Sequence, residues 1–462
     1  MQIQLITIII VYITFLIVIG LYSAKKISSI QDFFLANRRL KTFGLMATLT
    51  ATSVGGSATI IVGGRIYHQG LPALWYEIGG ALGLIVLGLF LAHKVRKTKR
   101  FTLPDIISEL YNENVRKASA VLIFITEIAW VSLLIQASGL ILSVLIPFQY
   151  EYILVLMTLV FIIYTLIGGR YAVVYTDIIQ FFVMIIGICC IAAPYLFYQA
   201  SSTFHEIPTS LVAFPINKNI GILTAVSIFF MMFLPNLVGP DIYSKILCAH
   251  DEKTARNGAI LSGIFKILFA ISIAVIALSA IALYPGLENP YTAIPQAISH
   301  LPVLLSGVVL AAFVSVMLSS ADSCLLSAGT ILSIDILKKK TIRVSQIGIF
   351  FVGISSLLLA LFITNIESFI GVSGILNTLQ LAYTIFTAGL TMPVLFGFYK
   401  QKTKATAKGA LYSLILGGTS SILWLYLAPN GEYAVLVGLV LSLVPLIVFR
   451  DKTNIKTKKI SK

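Results

Sequence analysis

Residues 314–327 read VSVMLSSADSCLLS and lie inside a longer apolar run, 301–335. Ser315, Ser319, Ser323 and Ser327 recur every four residues, a spacing that lines up four hydroxyls along one helix face. Ser320 and Asp322 flank the stripe. A carboxylate deep in an apolar helix costs roughly 2.5–3.5 kcal/mol on insertion scales, so it faces a cavity, a partner or an ion. Hydroxyl and carboxylate oxygens are the ligands that hard cations such as Na⁺ prefer. The serines alone would equally make a small-residue packing face between membrane helices. Asp322 is what tilts the reading toward an ion.

The stretch belongs to a chain of 462 residues that is 58% hydrophobic and 11% charged. Soluble domains carry roughly 25% charged residues, so this is a polytopic membrane protein. Its net charge of +15 is no nucleic-acid footprint, because the basic residues sit in short loops between apolar runs, as a topology signal does. The four cysteines have no zinc-site spacing and imply no disulfide framework.

About 20 apolar residues span a bilayer. By that measure the chain holds thirteen segments: 3–22, 43–68, 71–93, 118–147, 151–168, 171–198, 219–247, 258–284, 301–335, 344–364, 366–398, 406–428 and 432–449. Positive charge falls in alternate loops: Lys25, Lys26, Arg38, Arg39 and Lys41; HKVRKTKR at 93–100; Arg116 and Lys117; Arg170; Lys253 and Arg256; KKK at 338–340 with Arg343; Lys400 to Lys408; and the tail. Of the basic residues, only Arg65 and Lys218 fall on the other side. This predicts an N-terminus outside and a C-terminus inside. No basic residue precedes the first run and Lys25 follows it, the reverse of a secretory signal, so the first run is read as an uncleaved span. TLPDIISELYN at 102–112 reads as a cytoplasmic amphipathic helix entered through Pro104, with Thr102 as its cap. The outer segments 199–218 and 285–300 read as short polar loops.

Two spans are interrupted. Span 2 carries SVGGS at 53–57 and GG at 63–64; span 7 carries PNLVGP at 235–240. Unwound backbone at membrane depth survives only where it lines a cavity. The breaks lie five spans apart in helices of opposite direction, which predicts a five-plus-five inverted repeat with a binding site at the broken helices. Ordinary kinked helices are the alternative, since Gly and Pro are common in membrane spans. The organisation expected is 1–42, first span and cytoplasmic loop; 43–198, first repeat (spans 2–6); 199–400, second repeat (spans 7–11); and 401–462, two peripheral spans and a basic cytoplasmic tail.

Several motifs coincide in order and spacing: FFLANRRL at 33–40, ATLTATSVGGSAT at 47–59, TLPDII at 102–107, GGRYAVVYTDIIQ at 168–180, LPNLVGPDIYSKIL at 234–247, AAFVSVMLSSADS at 311–323, and AYTIFTAGLTMPVLFGF followed by KATAKGALYS. Over nearly its whole length the chain resembles the sodium:solute symporter family. The resemblance implies an all-α, thirteen-span, LeuT-like transporter of a prokaryotic plasma membrane. It implies symport of a small organic solute into the cell by alternating access, with Na⁺ as coupling ion, no other cofactor, and no nucleic-acid or obligate protein partner. Carried over by residue, it puts a sodium site on the carbonyls of Ala51, Val54 and Val316 and the hydroxyls of Ser319 and Ser320. A second sodium of some members maps near Asp177 and Ser323. There the sequence departs, because Asp322 stands where two-sodium members carry a hydroxyl. Asp177 and Asp322 are thus expected to share a second Na⁺ or a proton; alternatively Asp177 is a structural acid near Arg170. Proton-coupled or mixed-ion symport stays open.

The solute is expected beside the breaks. Ser53, Ser57, Gln136, Asn236 and Gln380 are candidate polar contacts. Glu77 matches by spacing a glutamate that sugar-transporting members use, though it could equally snorkel. Glu127 has no assigned partner, and Arg65 is the only intramembrane cation this reading identifies. An integral-membrane enzyme is disfavoured because the five histidines are scattered and no nucleophile–base or phosphate-loop motif occurs. A transporter-like sensor is disfavoured because the tail after Phe449 is only 13 residues.

Overall fold

The computed structural model describes residues 2–25, 27–370, 374–428 and 431–451. Among these the regular secondary structure is helical, and the one β-contact is an isolated bridge pairing Leu40 with Ala249. Eleven helices are long and apolar enough to cross a membrane, or twelve when the bent pair Thr42–Val54 and Thr59–Gln69 counts as one span. The first helix, Gln2–Ala24, shows why they stand in lipid. Leu5, Ile9 and Leu16 are buried, while Val11, Phe15 and Val18 are exposed on the other face.

The sequence spans 151–168 and 171–198 form one run, Tyr150–Ala200. At 1.5 Å per residue, a straight helix of that length would reach about 77 Å, more than twice the hydrocarbon thickness. The run is interrupted at Gly169, with φ 48° and ψ −152°, where a Cβ would collide with the Phe33 ring at 2.5 Å. Only glycine satisfies both the backbone and the close approach there.

Both expected interruptions are present. Thr42–Val54 ends at Gly55 (φ 59°, ψ 114°), and the chain restarts as Gly56–Gln69 at a 48° bend. Ile222–Val238 ends at extended Gly239, and Pro240–Ile246 follows. The pair Gly63–Gly64 is not a second break. The helix runs through it, and a Cβ there would meet Ile294 at 2.1 Å and Tyr291 at 2.5 Å. Those residues belong to 285–300, which is not simply a polar loop: Ala293–Ser299 is a helix that buries Ala293, Ile294, Pro295, Ala297 and Ile298. Leu103–Leu110 is helical with Pro104 in its first turn, and Thr102 accepts from Asp105 N at 3.1 Å. Asp251 caps Glu252–Leu283 by accepting from Thr254 N at 2.7 Å, and with His250 alongside this holds its carboxyl down at about 2.

At the centre is Val303–Ile331, in which every residue from 309 through 331 is buried. It packs against the first helix, the first broken helix, Glu113–Leu145 and Tyr150–Met184.

Candidate ion and solute site

The serine stripe does not keep one partner. A four-residue step on a helix of 3.6 residues per turn drifts by about 40°, so three steps turn it by about 120°. Ser315 meets the Tyr12 hydroxyl at 2.5 Å, Ser319 and Ser323 meet the first broken helix, and Ser327 lies beside Arg170 and Pro240.

Ser319 and Ser320 reach backbone at the end of Thr42–Val54. Ser319 Oγ donates to Ala51 O at 2.8 Å and Ser320 Oγ to Thr52 O at 3.0 Å. Both also approach Val316 O, at 3.2 and 3.1 Å. Val54 O takes the Thr59 hydroxyl at 3.3 Å, just across the Gly55 break. Of the sequence-assigned oxygens, the Ser319 hydroxyl thus meets Ala51 O and Val316 O, while the Ser320 hydroxyl meets Val316 O and reaches Thr52 O rather than Val54 O. Two ligands of one cation, each 2.3–2.6 Å from it and at right angles, would sit about 3.5 Å apart. The 2.8–3.2 Å contacts reach that spacing once each opens by a few tenths of an ångström and the hydroxyl protons rotate away.

One turn along, the arrangement departs from expectation. Asp177 and Asp322 are both buried and close enough to interact electrostatically, but the cation at Asp177 is Lys245. Its ammonium donates to Asp177 Oδ2 at 2.7 Å, Thr48 Oγ1 at 2.9 Å, Thr48 O at 3.0 Å and the Thr52 hydroxyl. Thr48 donates to the same Asp177 oxygen. Thr52 Oγ1 lies 3.1 Å from Ser323 Oγ, which donates to Asp322 Oδ1 at 3.1 Å. Arg170 donates to Ser244 at 2.9 Å. A second buried ammonium, Lys266, donates to Ser53 O and pairs with Glu77 Oε2 at 3.0 Å. Reading Arg65 as the only intramembrane cation was thus wrong. Lys245 and Lys266 are both fully buried, and the general rule that intramembrane ionisable residues carry function was the signal that marked them.

A cavity of about 520 Å³, its mouth included, opens at the two breaks. Ser53 and Asn236 line it, together with Thr52, Ser320, Trp130 and Tyr383. Glu77, Gln136 and Gln380 do not. Glu77 is held by Lys266, Gln136 donates to Thr378 at 3.1 Å, and Gln380 is buried beside Gly431. The Ser57 side chain lies outside the described residues. Arg65 binds Glu432 and donates to the Tyr76 hydroxyl at 2.5 Å, while Ser227 donates to the Glu432 carbonyl. These contacts tie both broken helices together at the end away from Cys248.

The model of the sodium:solute symporter family matches residues 33–417. The chain belongs to that family. The sodium/proline symporter of Staphylococcus aureus (strain Newman) is 25% identical over 96% of this chain and 92% of its own length. A high-affinity choline transporter of Drosophila melanogaster is 32% identical, but over only 39% of this chain, which spans 30% of that protein. The fold is shared with a Na⁺-coupled sialic acid symporter (TM-score 0.80, 17% identity, 96% of this chain and 97% of that one). It is also shared with MhsT in complex with L-phenylalanine (TM-score 0.61, 11% identity, 88% and 97%). This sodium:solute symporter is an integral, multi-pass membrane protein of LeuT-like architecture that couples movement of a solute to Na⁺. It is a transporter, not an enzyme.

Proposed function

We propose that the protein carries a small organic solute into the cell with Na⁺, and that the ion binds the carbonyls of Ala51, Val54 and Val316 and the hydroxyls of Ser319 and Ser320. The observation that carries this is the convergence of Ser319 and Ser320 on the carbonyl end of Thr42–Val54, beside a cavity whose wall includes Ser320. Ion and solute then share one wall, so filling one site preorganises the other, the reciprocal coupling that symport needs. The chain crosses the membrane thirteen times, turning back at Gly169, with its N-terminus outside and its C-terminus inside.

One Na⁺ moves per cycle. The ammonium of Lys245 stands among Asp177, Thr48 and Thr52, the position at which a second cation was expected, and Asp177, satisfied by a tethered cation, needs no second Na⁺. The Arg65–Glu432 pair is the outer seal. A smaller cavity between Pro240, Ser244, Ser327 and Thr330 continues the path toward the cytoplasm.

The test is thermal stability of the purified full-length protein in Na⁺ and in K⁺ at equal ionic strength. Na⁺ alone should raise the unfolding midpoint by mass action, and Ser319→Ala should shift that response to higher Na⁺. Identical curves in the two salts would overturn the assignment.

A further inference from the structure

The cavity's chemistry selects one class of solute, and this step rests on the symport reading above. Asp241 is the one charged side chain among the residues that line the cavity. It sits in the first turn of Pro240–Ile246. No Lys or Arg nitrogen lies within ion-pair distance of it among the described residues. The neighbouring ammonium groups are already held, Lys245 by Asp177 and Lys266 by Glu77, and Arg170 donates to Ser244.

The same cavity carries an aromatic wall. Trp130 and Tyr383 both line the cavity, with ring centroids 5.3 Å apart and planes inclined at 53°. Phe386 backs Trp130 at 5.0 Å. Aromatic rings, with their negative quadrupoles, in one cavity with a carboxylate that has no ion-pair partner form the environment that attracts an organic cation and repels an anion. Independently, the indole N–H of Trp130 has no hydrogen-bond partner although the residue is only 6% exposed. A buried donor left unmade is costly, so the bound solute supplies an acceptor.

We infer that the solute is a small organic ammonium compound bearing a hydrogen-bond acceptor: an amino alcohol, an amino acid or a methylated amine of either. Its ammonium lies between Asp241 and the Trp130 and Tyr383 rings, and its acceptor takes the Trp130 N–H.

The experiment uses the full-length protein in Na⁺ buffer and follows the unfolding midpoint with paired probes. Choline and glycine betaine are each compared with the tert-butyl isostere in which carbon replaces nitrogen, and proline is added as a secondary ammonium. At least one ammonium compound should raise the midpoint, with an apparent affinity roughly tenfold or more above that of its isostere. Asp241→Asn should abolish the preference while leaving the shift given by Na⁺ alone intact. If Asp241→Asn does not fold, Trp130→Leu should weaken the ammonium response in the same way, and the wild-type isostere comparison stands without either variant. Equal responses to ammonium and isostere, a preference for the anionic isostere, or no response to any ammonium compound would overturn the inference. A missing shift from Na⁺ alone would instead overturn the ion site on which it rests.

Discussion

Replacing Ser319 by Ala removes one of five proposed sodium ligands and nothing larger, since Ala packs well between membrane helices. The size of the effect follows from two terms. A hydrogen-bonding group facing an ion contributes about 1.5–3 kcal/mol. In the sodium-free protein the same hydroxyl already donates to Ala51 O at 2.8 Å, a contact worth about 0.5–1.5 kcal/mol that sodium binding must break. The difference, about 1–2 kcal/mol, predicts a roughly 5- to 30-fold rise in the Na⁺ concentration that gives half-maximal stabilisation. Ser320→Ala should behave alike, because its hydroxyl makes the equivalent 3.0 Å contact to Thr52 O. Ser315→Ala is the control. It lies one turn away on the same stripe but faces Tyr12, and should leave the Na⁺ response within about twofold, as expected of a residue that does not touch the ion. The assay is a Na⁺ titration of the thermal midpoint at constant ionic strength. If Ser315→Ala moves the midpoint concentration as far as Ser319→Ala does, the stripe acts through packing and the ion-site reasoning is refuted.

Lys245→Met strands Asp177 as a buried unpaired charge, a loss of about 3–5 kcal/mol that added Na⁺ should partly restore; a Na⁺ titration that changes from one-ion to two-ion steepness supports the tethered cation, and an unchanged curve rejects it. Asp322→Ser should keep the one-ion steepness, because Lys245 rather than Asp322 supplies the charge at Asp177; a gain of a second Na⁺ would reject that. Glu432→Gln cuts the Arg65 seal and should raise labelling of Cys324, which lines the cavity, by membrane-impermeant thiol reagents added outside; an unchanged rate would show that the seal lies elsewhere. Single cysteines at 98 and 340 should react only from the cytoplasmic side. Residues 430 and 458, which lie outside the described residues, should react from outside and inside respectively; labelling of residues 2 and 458 from one side would refute thirteen spans.

Hydrophobic run length and loop charge made most of the helices legible, and SVGGS and PNLVGP marked both breaks, because unwinding at membrane depth needs glycine or proline. The same logic misread Gly63 and Gly64, whose role is to admit Ile294 and Tyr291 from the segment 290–299, far along the chain. The ion-site serines were legible because hydroxyls at helical spacing are a local pattern. Lys245 and Lys266 stand out in the sequence only as ionisable residues within apolar runs; their partners were not legible. A lysine near a span end snorkels or is buried according to its partner, and Asp177 is 68 residues away from Lys245. The aromatic wall was equally hidden, since Trp130 and Tyr383 come from different halves of the repeat and look like ordinary membrane aromatics until they line one cavity with Asp241.

The most direct test of the central claim is uptake by proteoliposomes of whichever labelled ammonium solute stabilises the protein. Accumulation above equilibrium driven by an inward Na⁺ gradient, with one Na⁺ entering per solute and none accumulated under a proton gradient alone, is the predicted result. Accumulation that ignores the Na⁺ gradient, or that follows the proton gradient instead, would contradict the account.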